Sequence, residues 1–97
     1  MGTIKLDVSD TAIAINLLES SLKRELFLLD KSISNTKLKL EEFEKQRGMD
    51  SHEFYGKFKQ GLLGDKQDTM LWAAEYESLE LLEAKRLATE NILGQCK

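Results

Sequence analysis

INLLESSLKRELFLLDKSISNTKLKLEEF, running from Ile15 to Phe43, carries Ile15, Leu18, Leu22, Leu26, Leu29, Ile33, Leu40 and Phe43 at spacings of three and four, with Thr36 filling the one gap. The mean step is about 3.5 residues. That is the period of a coiled-coil seam, which keeps an apolar stripe turned toward one neighbour along a whole helix. Leu17, Leu28 and Leu38 add apolar bulk beside the stripe. The pattern predicts a helix from Asp10 to Arg47, with Ser9 or Asp10 available as N-cap. At ~1.5 Å per residue such a helix is about 55 Å long, more than one compact domain of this size covers.

Working outward, Gly48 can take the left-handed conformation that ends a helix. Asp50 stands as N-cap of a second helix with Glu53 three residues on. Met49 and Phe54 flank the cap in the positions of a hydrophobic staple. This helix, residues 51–60, is short, carries Phe54 and Phe58 one turn apart, and stops at Gly61. A third helix is expected over residues 65–93, with Asp65 as cap, Asp68 in its first turn, and Gly94 closing it. Trp72, Tyr76, Leu79 and Leu82 line one of its faces; Leu71, Ala74, Leu81, Ala88 and Ile92 line another. Two apolar faces on one helix imply contact on two sides.

In front of the first helix, Ile4-Lys5-Leu6-Asp7-Val8 alternates apolar and polar, a strand period. Residues 1–9 therefore read as an extended segment, either pairing with its own copy or packing as a tail. The fold class is all-α: a long helical hairpin with a short corner helix, in a single domain over residues 1–97. An isolated hairpin exposes much of its seam. The seam residues Ile15, Leu18, Leu22, Leu26, Leu29 and Ile33 are accordingly expected to meet a second copy in a dimeric coiled coil or four-helix bundle.

The chain has 97 residues, 41% of them hydrophobic and 32% charged, too apolar for a disordered segment. Proline is absent, which suits long helices. No apolar run approaches the roughly 18 residues of a membrane span, and no secretory leader is recognisable at the start. Cys96 is the lone cysteine and His52 the lone histidine. Disulfides and ordinary zinc sites are therefore not expected, and a reducing cytoplasmic compartment is.

Catalytic signatures are lacking. The glycines punctuate helices rather than cradle phosphates. His52 has no cysteine beside it to activate, and the Glu-x-x-His pairs of carboxylate bundle sites do not occur. Hence no enzyme activity, metal or cofactor is expected. Lys23, Arg24, Lys31, Lys37 and Lys39 are interleaved with Glu25, Asp30 and Glu41, so there is no basic stripe for nucleic acid phosphates. The charge anomaly lies elsewhere. Residues 65–83 hold Asp65, Asp68, Glu75, Glu77, Glu80 and Glu83 against Lys66 alone, inside a chain whose net charge is −3. Such a segment repels phosphates and attracts a basic protein surface, or else is simply a solvated helix face.

The stretch Phe43–Glu77, FEKQRGMDSHEFYGKFKQGLLGDKQDTMLWAAEYE, resembles small helical proteins of archaea and cyanobacteria. Their run reads FE-x-x-YGM-x-x-x-EF-x-x-x-F-x-x-G-x-LGDD-x-D-x-x-x-W-x-x-x-YE. Phe43, Glu44, Gly48, Met49, Glu53, Phe54, Phe58, Gly61, Leu63, Gly64, Asp65, Asp68, Trp72, Tyr76 and Glu77 match. Arg47 replaces an aromatic and Lys66 the second aspartate, exchanges expected to leave the capping intact. Such proteins resemble the antitoxin half of toxin–antitoxin pairs, which implies a toxin partner similar to a small ribonuclease. The likeness covers about a third of the chain.

A ribonuclease-like surface is basic because it binds phosphates. Asp68, Trp72, Glu75, Tyr76, Glu77, Glu80 and Glu83 are the residues expected to cover it, with aromatic rings supplying area and carboxylates steering. Trp72 and Tyr76 have a second reading, as corner core against Phe54 and Phe58. The leading expectation is thus a non-catalytic, antitoxin-like binder of another protein. The alternatives are a structural coiled-coil scaffold and a transcriptional regulator acting through its N-terminal strand.

Overall fold

A computed structural model describes residues 10–96, which form α1 (Thr11–Arg47), α2 (Ser51–Lys59) and α3 (Gln67–Gln95) and, among the described residues, no strand. Residues 1–9, where the extended segment is expected, lie outside the described residues. α1 and α3 run antiparallel as a long hairpin, with α2 as the corner between them. The molecule measures 59 × 27 × 18 Å.

The corner is built as its sequence dictates. Gly48, at φ 63°, ends α1 and donates its N–H to the Glu44 carbonyl at 2.8 Å. Asp50 is extended, and its Oδ1 accepts the Glu53 N–H at 2.9 Å. Glu44 adds a second cap from α1, its Oε2 accepting the Ser51 N–H at 2.8 Å. At the other end, Gly61 donates to the Phe58 carbonyl and Leu62 to that of Lys57, with Gly61 at φ 74°. This is the Schellman closure, which glycine adopts without a Cβ clash.

Helix α3 departs from the expected bounds at both ends. It begins at Gln67, and the N-cap position is held by Lys66, which offers no side-chain acceptor. Packing decides this start. Thr69 and Trp72 are each 1% exposed and must face the corner. Their register places Asp65 one residue too early to cap. The exchange to Lys66 therefore removes a cap, contrary to the expectation that capping survives it. Gly94 does not stop the helix either: it keeps helical backbone, and a Cβ there would meet nothing within 4 Å.

The core sits at the corner, where Leu40, Phe54, Trp72 and Ala73 are buried and Phe43, Met49, Tyr55, Phe58, Leu63, Tyr76 and Leu79 pack around them. The Trp72 indole lies parallel to the rings of Phe54 and Phe43, with centroids 3.7 and 5.7 Å away. Its Nε1–H donates to the Ser51 hydroxyl at 2.9 Å. One side chain thus binds all three helices together.

Away from the corner the hairpin thins. Leu29 and Ile33 are buried within the single chain and Leu22 and Leu26 are half-buried, whereas Ile15 and Leu18 are exposed. The expected dimer seam is therefore not one free stripe. Its corner-side half is already covered by α3. Its beginning overhangs, because 37 residues of α1 outrun the 29 of α3.

Candidate partner-binding face

One flank of the hairpin carries an open groove between α1 and α3. Asp30, Lys37, Glu83, Arg86 and Glu90 line its middle. Lys37 leads on into a hollow beside the corner, lined by Glu41, Glu44, Asp50, His52, Tyr76 and Leu79. Six carboxylates in this lining face only Lys37 and Arg86, and the Arg86 guanidinium is engaged by both Asp30 and Glu90. The net field along the groove is negative.

Tyr76 is the centre of the hollow. Its phenol is pushed above the ordinary tyrosine range, first by burial and then by the charges of Glu80, Asp50 and Glu83. The upward shift reflects chiefly the ring's place against the corner, with the carboxylates adding to it in the same direction. The Tyr76 hydroxyl and His52 Nδ1 share a hydrogen bond of 3.1 Å, whose direction the imidazole tautomer sets. Glu44 and Asp50 are held as caps of α2. Glu80 and Glu83 are exposed and form no salt bridge among the described residues. They are free to meet a cation.

The residues expected to form one acidic face are distributed over several. Tyr76 and Glu83 line the groove and its hollow, while Glu80 stands exposed on α3 between the Tyr76 and Tyr55 phenols, its charge acting on both. Glu77 lies on another side of α3, where its Oε2 accepts the Tyr55 hydroxyl at 2.6 Å. That bond pushes the Tyr55 phenol up to about 12. Glu75 leans toward α1 and pairs with Lys39 at 3.6 Å. Asp68 is exposed in the first turn of α3.

Trp72 is buried, so of its two readings the corner core is the one realised, and it offers no surface to a partner; Tyr76 also packs against that core, with only part of its ring and its hydroxyl left to the hollow. Asp50, His52, Glu41 and Glu44 come from α1 and the corner and were not anticipated as part of the site. For Asp50 and Glu44 a signal existed in the cap positions, since a cap carboxylate sits where two helices meet.

Among the described residues no group of histidine, cysteine and carboxylate side chains is placed to hold a metal ion, and no helix is long and apolar enough to cross a membrane. No protein-family model, curated protein or solved structure matches the chain.

Proposed function

We propose that this chain is a non-catalytic, antitoxin-like binding protein of the cytoplasm that neutralises a basic, ribonuclease-like toxin by covering it. The observation that carries this reading is the acidic groove between α1 and α3, lined by half-buried Tyr76 and by exposed Glu83, with Glu80 exposed one turn beyond Tyr76 and neither glutamate in a salt bridge among the described residues. An aromatic of low conformational entropy beside free carboxylates suits a cationic protein surface, with charge raising the encounter rate and the ring supplying contact area. The same negative field disfavours a nucleic acid partner.

The test is co-expression with the product of the adjacent gene. That product should arrest growth alone, be harmless beside this chain, and co-purify with it. Reversal of these exposed charges, Glu80→Lys with Glu83→Lys, should weaken the complex at least tenfold and abolish protection, with the helical circular dichroism unchanged. Glu75→Lys, on the α1-facing side, should leave affinity within about threefold. Failure of the two chains to co-purify would overturn the reading.

A scaffold role is the second reading, favoured by the exposed Ile13, Ile15, Leu17 and Leu18 on the α1 overhang. It predicts no dependence of any complex on Glu80 and Glu83.

A further inference from the structure

The groove between α1 and α3 is longer than its stretch beside Tyr76 and Glu83. Past Arg86 and Glu90 it continues to Leu26, Leu93 and Gly94, and at the other end it reaches Glu44, Asp50 and His52. From Leu26 to Glu44 it follows α1 for about 27 Å at ~1.5 Å per residue, or about five helical turns. Its floor is apolar: Ile33 and Leu40 are buried, and Leu26, Leu79 and Leu93 are half-buried. Its walls are charged. Asp30, Glu41 and Glu44 stand on the α1 side, Glu83 and Glu90 on the α3 side. Of the cations in the lining, Lys37 and Arg86, the second is already held by Asp30 and Glu90. Leu87, 62% exposed, adds an apolar contact on the α3 wall.

These features define an occupant by its backbone, its shape and its charge. The backbone groups of α1 and α3 are spent within their own helices, so an extended peptide finds no edge to bond with. A helix brings its backbone already satisfied. The trough between two antiparallel helices is where a bundle seats its third. Leu26, Ile33 and Leu40 recur at every seventh residue, and so do Leu79, Arg86 and Leu93, the repeat that a facing helix matches with its own apolar stripe. Carboxylates on both walls call for cations on both flanks of that stripe. A second copy of this chain answers poorly, because its helices carry mixed charge and its net charge is −3.

We propose that the groove seats an amphipathic α-helix of a partner protein, about five turns long, whose apolar stripe is flanked on both sides by lysine or arginine. The proposal rests on the reading of this face as a protein-binding surface and says which part of a partner enters it. It does not depend on that partner being a toxin.

The probe is a fluorescein-labelled synthetic peptide of about 18 residues, with leucines at the a and d positions of a heptad and lysines at e and g. One control scatters the same leucines and lysines in a different order; another keeps the stripe and replaces lysine by glutamate. Anisotropy with the purified full-length chain should show saturable binding of the probe, weakening as salt rises. The scattered control should bind at least tenfold more weakly and the acidic one not at all. Glu41→Lys with Glu83→Lys should lower affinity at least tenfold and Leu87→Gln at least threefold. All three side chains are exposed, so the helical circular dichroism should be kept. Backbone amide shifts on binding should gather at Lys37, Glu83 and Leu87 and spare Leu71 and Leu81. A probe that does not bind, a scattered control that binds as tightly, or shifts on the outer side of α3 overturns the proposal. If the adjacent gene product co-purifies in a Glu83-dependent way and the probe does not displace it, the partner-binding reading stands and the helix falls. If the probe binds in the groove and that product does not co-purify, the toxin falls and the helix stands.

Discussion

Replacing Trp72 by phenylalanine isolates the bond that ties α3 to the corner. The indole is 1% exposed, and its Nε1–H donates to Ser51, itself 4% exposed. The smaller ring leaves part of the indole volume empty, at about 1–2 kcal/mol for the lost contacts. It also leaves a buried hydroxyl without its donor, at about 1 kcal/mol. The total, about 2–3 kcal/mol, is survivable in a domain expected to hold roughly 5–15 kcal/mol. At fixed protein concentration it should lower Tm by roughly 10–20 °C.

The hydrogen-bond share is measured by a cycle. Trp72→Phe in a Ser51→Ala background should cost about 1 kcal/mol less than in the natural chain, because the partner hydroxyl is already gone. Urea unfolding followed by circular dichroism supplies the four stabilities. In the natural chain, fluorescence of its one tryptophan should trace the same transition. A coupling below about 0.3 kcal/mol would refute the account of Trp72 as a bonded core residue. Trp72→Phe should also leave affinity for the proposed partner within about threefold, because the ring lies beneath the surface.

Lys66→Asp restores a carboxylate at the N-cap of α3, where the backbone is already extended at φ −61° and ψ 154°. It should raise stability by about 1 kcal/mol and Tm by several degrees, read by thermal melting. The Tyr55 phenol, raised to about 12 by its bond to Glu77, makes a pH prediction. Below pH 10 both folded and unfolded phenols are neutral and the contribution of the Tyr55–Glu77 bond is fully present. Above it the unfolded phenol ionises first, so this contribution is lost as pH rises from about 10 through 12. Absorbance titration at the phenolate band should show Glu77→Gln moving Tyr55 back toward 10, and no movement would exclude the bond.

The hairpin was legible because its punctuation is chemically unambiguous. Gly48 needs a left-handed backbone, Asp50 presents an acceptor to Glu53, and Gly61 turns the chain after Phe58. The two misplaced ends of α3 show where local chemistry loses. Asp65 is an excellent cap in isolation, yet burying Thr69 and Trp72 fixes the register of α3 and moves its start to Gln67. Gly94 is a possible stop, but nothing draws the chain into a left-handed turn there, and the helix continues. Tertiary packing outweighs about 1 kcal/mol of capping preference whenever the two conflict. The seam of α1 was legible as a stripe but not in its ownership, because spacing alone does not say whether α3 of the same chain or a second copy covers Leu29 and Ile33.

The acidic site was harder to read for a geometric reason. Residues 65–83 are acidic as a segment, but a helix turns about 100° per residue, so Glu75 and Glu77 point about 160° apart. Segment charge and face charge are different quantities. The spacing that does hold a face is Tyr76 and Glu83, at i and i+7, and these are the members the groove gathers, while Glu80 stands exposed beside them. Leu71, Ala74, Ser78, Leu81, Lys85, Ala88 and Ile92 obey the same rule on another side of the helix. A single helix can thus serve two neighbours at once, α1 through Leu79 and Leu82 and the proposed basic partner through Glu83. The two assignments use different azimuths, so the outer one can be removed by substitution without the inner. If Glu83→Lys lowered the thermal stability of the chain by several degrees as well as its affinity for the proposed partner, the two faces would not be independent, and the acidic groove would have to be counted as part of the hairpin's own packing.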